Sequence, residues 1–158
     1  MLLLFPWIAF WILNSFSLEV LPIVYLLILS LIPLLWLKFQ ATIYELISFP
    51  LLITCCILIL LNIDKGLVQA LSYLLFGMMW LLSTFTKMPL TAYYSQNDYG
   101  GQRALKNPLF IHTNKILCRL WGILYIFIAC SSYLLIGTPL AFYASILNQI
   151  SPLLLGIF

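Results

Sequence analysis

The chain has 158 residues, 65% of them hydrophobic and 7% charged, with a formal net charge of +3. An ordinary soluble domain is about 45–50% apolar and about 25% charged, and a soluble fold of this size could not hide so much apolar surface. The composition points to a lipid bilayer as solvent, and the small positive excess makes no case for a nucleic-acid partner.

Six apolar stretches run along the chain, at 2–16, 20–37, 43–61, 67–86, 116–136 and 139–157. A helix rises 1.5 Å per residue, so about 20 residues cross a hydrocarbon core of about 30 Å. Continuously apolar runs favour helices over barrel strands, which would alternate apolar with polar. The expectation is an all-α fold, a single transmembrane domain over 1–158: a polytopic membrane helix bundle of about six transmembrane helices arranged as three hairpins.

The first stretch has no positive n-region and no small-x-small cleavage pattern near Ser17, so it reads as a retained helix, short for a full crossing. Ser17-Leu18-Glu19 precedes Pro22, which falls in the tolerated first turn of the second span. Pro33, Pro50 and Pro152 lie inside spans and predict kinks. Asn62-Ile63-Asp64-Lys65-Gly66 carries turn chemistry between spans three and four, and Gly137-Thr138-Pro139 does so between spans five and six.

Trp7 and Trp11 are one turn apart and share a face, aimed at another helix or at lipid tails. Trp36 and Trp121 read as members of an interfacial aromatic belt. Ser131, Ser132, Ala141 and Ser145 have the small-residue spacing of a close helix approach in the last hairpin. Asn14, Asn62, Asn148 and Gln149 sit near span ends, where interhelical hydrogen bonds account for them. The four cysteines, Cys55, Cys56, Cys118 and Cys130, show no CxxC spacing and read as small buried apolar residues.

Lys38, Lys87, Arg103, Lys106, Lys115 and Arg119 fall on one side of a six-span arrangement, and Lys65 alone on the other. The positive-inside rule then makes the polar segment 87–115 a cytoplasmic loop and puts both termini in the cytoplasm. The expected location is the bacterial inner (plasma) membrane, with a multi-pass topology.

Ionisable groups inside a bilayer usually mark a pathway or relay, and this chain is poor in them. Glu45 is the best exception, read here as a headgroup-level carboxyl paired with Lys38 or a loop cation. The loop is rich in Tyr, amides and cations, with apolar residues recurring through it. Such a segment lies on the membrane surface, its cations on anionic headgroups, or docks a membrane-protein partner. The candidate contacts are Glu45 together with Tyr93, Tyr94, Asp98, Arg103, Lys106, His112 and Asn114.

An enzyme would have to use His112 with Asp98, Arg103 and Lys106. The lone His has no second ligand at metal spacing, Gly100-Gly101 is no phosphate loop, and no nucleophile elbow is present. No catalytic, cofactor or metal site is assigned, and the reading leans away from an enzyme.

Lys87-Met88-Pro89-Leu90-Thr91-Ala92-Tyr93-Tyr94, then Asn107-Pro108-Leu109-Phe110-Ile111-His112-Thr113-Asn114-Lys115-Ile116-Leu117 and Trp121-Gly122, resembles a segment of uncharacterised bacterial multi-pass membrane proteins, some described as relatives of intracellular septation protein A. The resemblance covers 87–122, departs from the group's pattern at Tyr94-Ser95, and implies topology and a cytoplasmic loop but no catalytic residues. The expected function is a non-enzymatic inner-membrane accessory or scaffold that docks an envelope assembly or lipid through this loop. The alternatives are a small transporter or lipid-handling protein, and an interfacial membrane enzyme.

Overall fold

The computed structural model describes residues 3–14, 21–30, 32–33 and 41–157. The described regions are helices and turns, with no strand among them. In chain order the helices are α1 (Leu4–Asn14), α2 (Leu21–Ser30), α3 (Ile43–Leu60), α4 (Lys65–Ser83), α5 (Leu90–Ser95), α6 (Pro108–Leu134) and α7 (Ala141–Ile157), with 3-10 turns at Gln96–Tyr99 and Gly101–Lys106. Three of them, α3 with 18 residues, α4 with 19 and α6 with 27, are long and apolar enough to cross a membrane. Lys38 and Trp36, and with them the Glu45–Lys38 pair and one member of the aromatic belt, lie outside the described residues.

Local chemistry sets the helix ends. Thr42 and Glu45 open α3 with a capping box: the Thr42 hydroxyl accepts from the Glu45 amide at 3.1 Å, and the Glu45 carboxyl accepts from the Thr42 amide at 2.8 Å. At the other end Asn62 takes a left-handed φ of 62°, and the amides of Asn62 and Ile63 donate to the carbonyls of Ile59 and Leu58. That is a Schellman close, with Asn in place of the usual Gly. Asp64 then caps α4, accepting from the Leu67 amide at 2.9 Å.

The segment 87–115 is far more ordered than a loop. Asn107 accepts from the Leu109 amide at 2.9 Å with Pro108 in the first turn, so α6 starts eight residues before the expected Ile116. Asn followed by Pro is a readable helix start, masked in the sequence by the polar turn His112-Thr113-Asn114-Lys115 that separates it from Ile116.

The main contact of the bundle is between α4 and α6. It closes at a glycine pair: a Cβ added to Gly77 would meet the Gly122 carbonyl oxygen at 3.0 Å, the Ile126 amide at 3.1 Å and Tyr125 Cβ at 3.1 Å. In the last hairpin Asn148 Nδ2 donates to Ser132 Oγ at 2.8 Å, as expected of interhelical polar groups, and a cleft opens beside that contact. Ser132, Ala141 and Ser145 line a cavity of about 230 Å³ together with Asp64, Gly66 and Gln69. The tight crossing sits one helix over because only Gly leaves room for backbone against backbone.

Around that crossing lies an aromatic cluster. Phe76 meets Trp7 at 5.0 Å, Trp11 at 5.5 Å and Tyr125 edge-on at 4.7 Å, and Trp11 lies 4.5 Å from Tyr73. Trp7, Phe76 and Tyr73 are fully buried. Trp121, half-buried, stacks on Trp80 at 5.6 Å and on Tyr125 at 6.1 Å.

α1 is held by its two indoles. Trp7 Nε1 donates to Ser48 Oγ of α3 at 2.6 Å, and Trp11 Nε1 donates to Ser72 Oγ of α4 at 2.9 Å. Asn14 adds donations to the Lys65 carbonyl at 3.2 Å and Gln69 Oε1 at 3.1 Å. These contacts orient α1: its C-terminal end lies at the start of α4, on the side of the bundle away from segment 87–115. α2 packs on α3 and α1, and its Tyr25 hydroxyl donates to the Pro6 carbonyl.

Three of the cysteines are buried as expected, whereas Cys130 is exposed on the outer face of α6.

Gly77→Ala tests the crossing. Its new methyl meets backbone, which cannot rotate away, so the variant should lose about 1–3 kcal/mol of stability, read as a lower unfolding midpoint in detergent. An unchanged midpoint for Gly77→Ala would mean that α4 and α6 do not meet there.

Candidate functional site

The loop-side end of the bundle gathers the polar groups. Segment 87–115 folds back over the helix ends: Pro89, Leu90 and Ala92 are buried, and Tyr93 and Tyr94 pack half-buried against the core. α5 docks chiefly on α6.

Asn114 is the centre of that docking. It is buried; its backbone carbonyl accepts from the Thr91 hydroxyl at 2.9 Å and its Oδ1 accepts from Ser95 Oγ at 3.3 Å. Its own amide nitrogen donates to the Phe110 carbonyl at 2.8 Å, which fixes the side chain on α6. Thr91 also reaches Cys118, hydroxyl to sulfur, at 3.3 Å.

Glu45 is the second anchor. It is buried, with 8% of its surface exposed, and its carboxyl accepts on both oxygens: the Thr42 amide on Oε2 and the Tyr94 hydroxyl on Oε1 at 3.1 Å. Among the described residues no cation pairs with it, so the expected loop-cation partner is replaced by a tyrosine and a helix cap. The N-terminal turn of α3 supplies the favourable dipole that a loop cation was expected to provide. Burial, first of all, holds the Tyr94 hydroxyl well above the ordinary tyrosine range; its bond to Thr42 opposes the rise, and the charge of Glu45 adds to it. Tyr94 therefore stays protonated and keeps donating through the physiological range. Beside this pair the Tyr44 hydroxyl donates to the Met88 carbonyl at 2.7 Å and lies 3.0 Å from Thr86 Oγ1.

Of the eight candidate residues, the structure brings Glu45 and Tyr94 into contact, sets Tyr93 against Tyr94 at 5.6 Å, and makes Asn114 the neighbouring anchor. The other four face outward. Asp98, Arg103, Lys106 and His112 are exposed, and no hydrogen bond or ion pair joins any two of them. The 3-10 turns that carry Asp98, Arg103 and Lys106 meet at Gly100 and Gly101, whose φ values of 95° and 66° need glycine. Tyr99 stands 69% exposed at that tip, its ring 5.5 Å from Phe110.

Several contributors went unread in the sequence. Thr42-Ile43-Tyr44-Glu45 is a capping-box pattern ahead of an apolar run, and it would have identified Glu45 as a cap. Thr91 and Ser95, one helical turn apart in α5, carry no local signal, because their partner Asn114 is remote in sequence. Among the described residues no cluster of three His, Cys, Asp or Glu is placed to hold a metal ion. No family model matches this chain, and no curated protein or solved structure matches it either.

Tyr94→Phe removes the hydroxyl that ties α5 to Glu45. One hydrogen bond of about 1 kcal/mol corresponds to roughly fivefold faster hydrogen exchange at the α5 amides, and Asn114→Ala, which breaks the other anchor, should add to it. Unaltered exchange in both variants would show that α5 is not held by these contacts.

Proposed function

We propose that this protein is a multi-pass protein of the bacterial inner membrane, with six spans in three hairpins and both termini in the cytoplasm. On this reading it acts as a non-enzymatic accessory that docks a membrane-protein partner of an envelope assembly through segment 87–115.

The membrane placement draws on the three long apolar helices and on the apolar residues they expose. Ile43, Leu60, Leu82, Ile123 and Phe127 all face outward, which in water would be a penalty and in lipid is none. The N-terminal placement draws on α1, whose Asn14 end sits with Lys65 on the side away from the loop. The cytoplasmic side follows from the six-to-one division of Lys and Arg.

The observation that carries the docking reading is the division of segment 87–115 into two parts. Pro89 to Ser95 is clamped on the bundle by Glu45 and Asn114. Asn97 to Lys106 turns away from that base at Gly100 and Gly101 and leaves Tyr99, Arg103 and Lys106 exposed, while Ala104 is buried against the fold. A rigid base under a tip of one aromatic and two cations is the form of a presented binding epitope, since anchoring lowers the ordering cost of association, and Tyr and Arg are favoured at interface hot spots. The transporter alternative has one point in its favour, the cavity beside Asp64 and Gln69; its lining holds no residue of α3 and so does not lead to Glu45.

A photo-crosslinking residue placed at Tyr99 should give a discrete adduct of protein mass in intact cells, and the same residue at the buried Leu90 should give none. Lipid adducts alone at Tyr99 would contradict the docking role and favour a purely interfacial segment.

A further inference from the structure

Arg119 sits where a cation is costly. The Gly77–Gly122 contact sets the level of α6 against α4, and the two helices run antiparallel. Arg119 is three residues to the loop side of Gly122, and Ser83, the last residue of α4, is six residues to the loop side of Gly77. Arg119 therefore lies about 4.5 Å inside the level at which α4 ends. It is exposed, and its neighbours on the same face are apolar and exposed too: Ile116, Leu120, Ile123 and Phe127. This is a guanidinium on the lipid-facing side of a membrane-length helix.

Two further observations bear on it. Lys115 is one turn away on the loop side, a like-charge i,i+4 pair that repels unless an anion lies between. α6 contains no acidic residue, and no described residue gives Lys115 or Arg119 an ion pair. Among the described residues no anion lies between them, which leaves the pair open to one from outside the chain. Helical side chains lean toward the helix N-terminus, which for α6 is the loop side, so both cations reach back along the helix toward the headgroup layer.

We propose that Lys115 and Arg119 clamp the phosphate of a bound anionic phospholipid on the outer face of α6, with an acyl chain laid along Leu120, Ile123 and Phe127. The phosphodiester matches the planar fork of the guanidinium. The apolar continuation of the stripe is what selects a lipid over a free phosphate. This site rests on the membrane placement proposed above and is independent of the docking tip at Tyr99.

The test is native mass spectrometry of the full chain in detergent, offered equal amounts of phosphatidylglycerol and phosphatidylcholine. The wild-type chain should retain one anionic lipid with a preference on the order of tenfold, unaffected by millimolar inorganic phosphate. Lys115→Gln with Arg119→Gln should abolish the preference, Arg119→Lys should keep part of it, and Lys106→Gln on the exposed tip should leave it whole. An undiminished preference in the double variant, or displacement of the lipid by phosphate, overturns the clamp. Vesicle flotation separates the two readings: a chain that floats without a preference sinks the clamp alone, and one that does not float sinks the membrane placement as well.

Discussion

Helices α4 and α6 touch backbone to backbone at Gly77 and Gly122, and the rest of the bundle takes its position from that contact. In lipid, helices gain little from burying apolar side chains against one another, so association relies on close van der Waals fit and on hydrogen bonds. A pair of glycines gives the closest fit available. It brings Phe76 onto Tyr125, opens a seat for Trp7 and Trp11, and aligns the loop-side ends of α4 and α6 so that α5 can lie across them.

Most polar groups inside the bundle follow one rule, that a buried donor must find its acceptor within the protein; among the described residues the Tyr73 hydroxyl and Trp80 Nε1 are buried without one. The two indoles of α1 find serines, Asn14 finds Gln69 and a carbonyl, and Tyr94 finds Glu45. Each bond joins elements that are distant in sequence, so each also acts as a tie between helices. The two anchors under α5 differ in kind. Asn114 offers backbone and side-chain acceptors on α6, whereas Glu45 offers a carboxyl already held by its own helix cap. Held from both sides, α5 gives the tip at Gly100 and Gly101 a fixed base while the tip itself stays in solvent.

What could be read from the sequence was whatever is local. Asn62 and Asp64 announced the turn between α3 and α4, and the structure uses the first for its left-handed backbone and the second as a cap. The shared face of Trp7 and Trp11 came from helical spacing, and both indoles do point into the bundle. What could not be read was pairing. Glu45 looked like a partner for a lysine because charge is visible in a sequence, while a remote tyrosine hydroxyl is not. The small-residue spacing of Ser132, Ala141 and Ser145 was as good a signal as Gly77 and Gly122, yet it lines a cleft; spacing alone does not say which small residues face each other. The early start of α6 was within reach, since Asn107-Pro108 is a helix opening, but its second turn, His112-Thr113-Asn114-Lys115, is polar enough to pass for loop.

A membrane bundle requires the outer face of α6 to be in contact with lipid, and a spin label measures that directly. Phe127 is 70% exposed and close to the middle of the stretch of α6 that faces α4. A label on Phe127→Cys in a Cys130→Ser chain, reconstituted into vesicles, should collide with dissolved oxygen far more often than with a water-soluble nickel chelate, and a label on Tyr99→Cys should show the reverse. If the chelate reaches position 127 as readily as position 99, that face of α6 is in water and the membrane bundle described here is wrong.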